Sequence, residues 1–132
     1  MKKVVIAGSA KLQNDIAYWI QKFSDDNYEV LDYPQTIDKE KFMEVYPAVH
    51  KNFFESITQA DVLFLMNEDK NGKTGYIGAE SFAELTFGLA QKLVYGKPIE
   101  LIILKMPSKD VSCYEEIDLW RKLGWIRLYE EE

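Results

Sequence analysis

The sequence predicts an α/β three-layer sandwich built on a parallel sheet, and three observations lead there. Short apolar runs alternate with segments of helical periodicity along all 132 residues. Two of those runs, Val4 to Ala7 and Val62 to Met66, are continuously apolar rather than alternating, as strands covered on both faces must be. Strands that alternate with helices are joined by right-handed crossovers, which lays the strands parallel and puts helices on both faces of the sheet.

Taken in order, Val4 to Ala7 forms the first strand and stops at Gly8-Ser9. Leu12, Ile16, Trp19, Ile20 and Phe23 recur at helical spacing, so residues 12 to 24 read as the first helix, closed by Asp25-Asp26-Asn27. Tyr28 to Tyr33 is the second strand, ended by Pro34. Residues 38 to 60 are helical in pattern, with Val49, Phe53, Ile57 and Ala60 as the apolar stripe. Pro47 removes a backbone donor and predicts a break or a new first turn there. Asp61 precedes the third strand, Val62 to Met66, whose apolarity marks it as central. Residues 67 to 79 hold three glycines and an Asn-Gly pair and read as a loop. Ser81 to Tyr95 is a long helix stopped by Gly96 and Pro98, and Ile99 to Leu104 is the fourth strand. Ser112 and Glu115 have capping-box spacing for a last helix ending at Gly124, after which Trp125 to Tyr129 is the fifth strand. Five strands in this succession imply the flavodoxin-like (Rossmann-like) order 2-1-3-4-5. The ligand crevice of that topology opens at the carboxyl ends of the first and third strands, where the loops at Gly8 and at Gly72 to Ala79 both fall.

The length fits one domain, and 47% apolar residues supply a core. Cys113 is the only cysteine and His50 the only histidine, so neither an internal disulfide nor a structural zinc is expected, and a reducing, cytoplasmic setting fits. The amino-terminal apolar run is far too short for a signal peptide or a membrane span. A net charge of -6 argues against nucleic acid as a partner, because tracking phosphates takes clustered lysine and arginine. Glu130 to Glu132 reads as a solvated tail without a specific role.

The residues with chemical potential cluster at the predicted crevice. Glu80 and Glu84, four apart at the start of a helix, project from one face. Glu84 admits two readings. With Ser81 it has capping-box spacing, which would leave it in solvent at low pKa. Facing the crevice, it could instead act as a nucleophile or acid/base, with Glu80 tuning its proton affinity and Tyr76, Phe82 and Phe87 walling it. Gly8 and Ser9 offer backbone N–H groups at a helix start, a candidate anion site. Tyr76, an aromatic in a polar glycine loop, is a candidate for stacking on a planar ligand. Asp61 reads either as a functional acid or as a residue that turns the chain into its strand. His50 adjoins an apolar helix face and reads as a packed or surface residue. Neither a dinucleotide fingerprint nor a P-loop is present, the loop after the first strand lacks the acidic pair of a receiver domain, and no flavin phosphate loop is found. No cofactor and no metal are expected.

Taken together, VVIAGSA at the first strand, SITQADVLFLM leading into the third, and GYIGAESFAEL followed by YGKPI resemble the nucleoside 2-deoxyribosyltransferase-like superfamily, which includes 2′-deoxynucleoside 5′-phosphate N-hydrolase-like proteins. The motifs hold their order across most of residues 3 to 104, although Ala79 and Glu80 separate Gly78 from Ser81. The resemblance implies a flavodoxin-like fold and an enzyme that transfers or hydrolyses at the N-glycosidic bond of a nucleoside or nucleotide. By position it implies Glu84 as the nucleophile on the anomeric carbon, Asp61 as the acidic residue before the third strand, Asp69 or Glu80 as the stand-in for a second site acid, and Gly8 and Ser9 as the loop that holds a sugar or 5′-phosphate; Gly78 and Ser81 are further candidate substrate contacts. It also implies a homo-oligomer, since relatives complete their sites with a neighbouring subunit. A nucleotide-binding or sensing module without catalysis is the alternative on the same fold.

Overall fold

Among residues 1–131, which the computed structural model describes, five strands and four helices alternate. The strands are β1 (Lys2–Ala7), β2 (Tyr28–Asp32), β3 (Val62–Leu65), β4 (Glu100–Ile103) and β5 (Arg127–Leu128). The helices are α1 (Gln13–Asp25), α2 (Phe42–Gln59), α3 (Ala79–Leu93) and α4 (Tyr114–Lys122). The strands form one parallel sheet in the order β2-β1-β3-β4-β5, as the sequence predicts. Its centre is the pairing of β1 with β3, in register from Val4 opposite Val62 to Ala7 opposite Leu65, so both strands end at one edge. Between β1 and β2 the register slips after Val4: Val30 faces Val4, but Asp32 faces Val5. No helix of the described residues is long and apolar enough to cross a membrane.

Alternate side chains of the sheet feed two cores, because successive residues of a strand point to opposite faces. Val5, Ala7, Leu63, Leu65, Leu101 and Ile103 pack under α2, α3 and α4. Val4, Ile6, Val62, Phe64 and Met66 pack under α1 alone. Three crossovers running one way across the sheet put three helices on one face, and the reversed first crossover puts α1 on the other. Aromatic mass thickens the thinner side: Trp19 and Phe23 lie 4.7 and 5.1 Å from Phe64 between ring centroids, and Tyr129 packs on the same ring at 5.6 Å.

Several local expectations are corrected. Pro47 does not break its helix; α2 runs unbroken from Phe42 to Gln59 after a 3-10 turn at Lys39–Lys41. Met43 and Pro47 both lie on the exposed flank, away from the packed stripe of Phe53 and Ile57, and there the missing backbone bond costs no buried partner. The helix α3 begins at Ala79, with the extended Gly78 before it, so Ser81 is already inside the first turn and its capping box with Glu84 does not form. At α4 the cap position is Cys113, with no side-chain bond, and a turn from Val111 to Tyr114 leads into the helix in place of the predicted Ser112 box. Glu131 is not an idle tail residue: its carboxylate accepts from Arg121 Nη2 at 2.9 Å and from the backbone N–H of Leu128 at 3.0 Å. Glu132 lies outside the described residues.

Candidate active site

The carboxyl edge of the sheet opens into a cavity of about 610 Å³ where β1 and β3 diverge to opposite crossovers, the place at which this topology binds ligands. One wall begins at Gly8. Its φ of +152° is accessible to glycine, and a Cβ there would lie 2.8 Å from Met66 Cγ, so only glycine lets β1 leave the sheet this close to the end of β3. Ser9 follows, and its hydroxyl accepts from Lys70 Nζ at 2.8 Å. That bond brings an ammonium group into a cavity whose opposite wall is acidic.

The glycine loop after β3 is held by two side chains that local pattern does not single out. Asn67, 2% exposed, donates from Nδ2 to the carbonyls of Gly75 and Lys105 at 3.1 and 2.7 Å, and accepts at Oδ1 from the N–H groups of Leu104 and Lys105. It ties the end of β3, the loop and the end of β4 into one unit. Asp69 accepts from the N–H of Gly75 at 2.9 Å and from Lys105 Nζ at 3.1 Å, which hold its carboxyl below the usual range. Gly75, at φ +61°, passes so close to Met106 and Pro107 that a Cβ would lie 2.8 Å from the Met106 carbonyl. Thus pinned, the loop delivers Tyr76 and Gly78 to the cavity wall, where Lys70 stands 5.8 Å from the centre of the Tyr76 ring.

At the floor lies Glu84. It is 5% exposed, no described residue hydrogen-bonds its carboxyl, and the cavity reaches it. Burial is the main reason its pKa is raised to about 8, with the neighbouring carboxylates of Glu80 and then Asp32 adding to it. Of the two sequence readings, the solvent-facing cap therefore fails. The cap is Gly78, three residues before the Ser81 that the capping-box spacing implies, so Glu84 lies in the second turn of α3 and is buried on the cavity wall. Of the three expected aromatic walls only Tyr76 lines the cavity, joined by Tyr33, Phe42, Tyr46 and Phe53, while Phe82 stacks on Trp120 at 5.3 Å and Phe87 packs on Phe54 at 4.7 Å.

The fold thus brings together Gly8, Ser9, Tyr76, Gly78, Glu80, Ser81 and Glu84, all on the cavity wall. It does not bring Asp61 there. Asp61 sits at the opposite, amino edge of the sheet, where its carboxylate accepts from the backbone N–H of Lys3 at 2.8 Å and starts the pairing of β3 with β1. A residue that enters a parallel strand is separated from the ligand edge by the strand's whole length, so the catalytic reading of Asp61 is withdrawn. His50, set aside by the sequence reading, is at the site. Its ring stacks on Tyr46 at 5.1 Å and meets Phe54 edge-on at 4.4 Å, and Nδ1 is buried without a partner. One ligand atom each from His50, Glu80 and Glu84 lie within 4.8 Å of one another. Glu80 and Glu84 are neighbours along α3, but only the packing of α2 on α3 brings His50 to them, and no local spacing signals that. No protein-family model and no curated protein matches the chain.

Proposed function

We propose that the chain cleaves or transfers at the N-glycosidic bond of a (deoxy)nucleoside or its 5′-monophosphate, with Glu84 as the group that meets the anomeric carbon. The observation that carries this reading is a buried, unpartnered carboxyl at the floor of an aromatic-lined cavity of nucleotide size. A carboxylate desolvated in this way is costly in the empty site and becomes favourable as positive charge develops at C1′, which is the difference between ground and transition state that catalysis needs. In the proposed reaction a Glu84 oxygen bonds to C1′ as the C1′–N bond breaks. The electron pair leaves with the base, which takes up a proton relayed by Glu80. Water, or a second base, then attacks C1′ and releases Glu84 from the ester. Tyr76 stacks on the base, Gly78 and Ser81 border it, and Gly8 and Ser9 with Lys70 receive the sugar or its phosphate. The superfamily resemblance of the Ser81 to Leu85 segment supports the same assignment, and with it a homo-oligomeric assembly.

The purified protein incubated with deoxynucleosides and their 5′-monophosphates is expected to release free base, and Glu84→Ala to abolish the release. Because the nucleophile must be ionised, kcat/KM is expected to rise with pH up to about 8 and then level. Release that persists in Glu84→Ala, or a rate that falls through that pH range, overturns the nucleophile. A second reading, a nucleotide-binding module without turnover, is favoured by the same burial: below pH 8 the Glu84 carboxyl retains its proton and offers a hydrogen-bond donor to a ligand. Ligand-induced thermal stabilisation with the nucleotide recovered intact is its outcome.

A further inference from the structure

We propose that His50, Glu80 and Glu84 form a binding site for one first-row divalent transition cation of the Zn²⁺ and Co²⁺ class, at the floor of the cavity between α2 and α3. Three ligand atoms within 4.8 Å of one another need only small side-chain rotations to converge on a single ion. Glu84, a residue 5% exposed, has a carboxyl that no described residue hydrogen-bonds, and the His50 ring beside it carries a buried Nδ1 without a partner. Buried polar groups are ordinarily satisfied, so a buried imidazole nitrogen without a partner, next to a carboxyl that no protein group hydrogen-bonds and that faces the cavity, is a place to receive a cation. The frame is also rigid enough to define a geometry. Glu80 and Glu84 rise from one face of α3, and stacking between Tyr46 and Phe54 fixes the His50 ring on α2. Glu80, being exposed, is free to swing onto an ion entering from the cavity.

The donor set selects the ion. Ca²⁺ takes six to eight oxygens and Mg²⁺ keeps an octahedral, largely hydrated shell, whereas one imidazole nitrogen with two carboxylates and an open side facing the cavity matches a four-coordinate zinc-type ion with water in its fourth position. The sequence points to no metal because the third ligand, His50, joins the Glu80 and Glu84 pair from another helix, far away along the chain. The site does not depend on the glycosyl reading. A bound ion would engage the Glu84 lone pairs that the proposed reaction directs at C1′, so the cation is an inhibitor of that chemistry rather than its cofactor.

Isothermal titration of the full chain, without a polyhistidine tag and stripped with a chelator, tests this at pH 7.5 with Zn²⁺, Co²⁺ and Mg²⁺ in turn. One Zn²⁺ per chain is expected, Mg²⁺ bound far more weakly, and a visible Co²⁺ absorption band of low-coordinate type. His50→Ala and Glu80→Gln are each expected to weaken Zn²⁺ at least about tenfold. Circular dichroism checks that His50→Ala keeps its fold, and Glu80→Gln, on an exposed residue, reports on the site without touching the core. No saturable Zn²⁺ binding, Mg²⁺ bound as tightly as Zn²⁺, or affinities unchanged in Glu80→Gln each overturn the proposal. Base release is not among these readouts, so failure here leaves the glycosyl reading untouched, and failure of that reading leaves the cation site standing.

Discussion

At the scale of single residues, Glu84 concentrates the chain's electrostatic strain. Its pKa is raised from 4.5 to about 8, first by burial, then by Glu80 and Asp32, so the native state holds this proton more tightly than the unfolded chain does. A carboxyl with a raised native pKa contributes no penalty below its unfolded value. Stability is lost as pH climbs from 4.5 and levels near 8, and at 1.36 kcal/mol per pKa unit the loss is at most about 5 kcal/mol. Glu84→Gln keeps the shape and cannot ionise. Urea unfolding at pH 5, 6.5 and 8 is expected to find the variant near wild type at pH 5 and more stable by several kcal/mol at pH 8. A stability difference that does not change across that range would mean that the native site accommodates the charge. The sequence could locate Glu84 but could not choose between a solvent-facing cap and a buried residue on the crevice wall. The choice depends on where α3 starts, and that is set by the extended Gly78 rather than by the Ser81 spacing. His50 was illegible for a different reason: its neighbours Tyr46 and Phe54 lie on its own helix, but Glu80 and Glu84 reach it only through tertiary packing.

At the scale of elements, the cavity owes its shape to the junction that joins β3, the glycine loop and β4. Asn67 supplies four hydrogen bonds to that junction from a position 2% exposed. Asn67→Ala strands the carbonyls of Gly75 and Lys105 and the N–H of Lys105. The N–H of Leu104 keeps its ladder bond to Leu65 at 3.0 Å. Groups left unpaired in a buried place cost more than a hydrogen bond gains, so we expect a loss of about 2–4 kcal/mol by urea unfolding, with faster tryptic cleavage at Lys70 or Lys73 as the loop loosens. A change within about 0.5 kcal/mol, the range of an ordinary surface substitution, would show that the loop is held without Asn67. The strands were legible because their apolar runs follow the burial of a parallel sheet, and each helix stripe was legible by its spacing. Element ends were less so. Pro47 is tolerated because it lies on an exposed flank of α2, and the Ser112 box gives way to a backbone turn, both outcomes of three-dimensional surroundings that a local motif does not encode.

At the scale of the whole molecule, sheet order and crossover hand open the cavity at one edge of the sheet and leave one apolar surface exposed beside it. The amino-terminal half of α2 stands away from the core: Phe42 is 42% exposed, Met43 81% and Val45 37%. Beside it runs a shallow apolar groove bordered by Pro47, Phe54 and Phe87. Because Phe42 and Tyr46 also line the main cavity, a second copy seated on α2 would close the cavity mouth. An assembly through α2 would therefore bear on the site itself. Burying an apolar side chain of this size contributes about 1.5–3 kcal/mol, and placing a carboxylate there instead opposes association by desolvation as well. The double substitution Met43→Glu with Val45→Glu spares both cavity-lining aromatics, so it separates assembly from the chemistry of the floor. Sedimentation velocity at tens of micromolar is expected to find wild type as a dimer or larger and the double variant as a monomer, with its circular dichroism unchanged. A wild-type protein that sediments as a monomer would remove α2 as an interface and leave the cavity mouth open to solvent. The exposed Met43 and Val45 would then be surface residues whose only structural task is to carry the helix that positions His50 above Glu84.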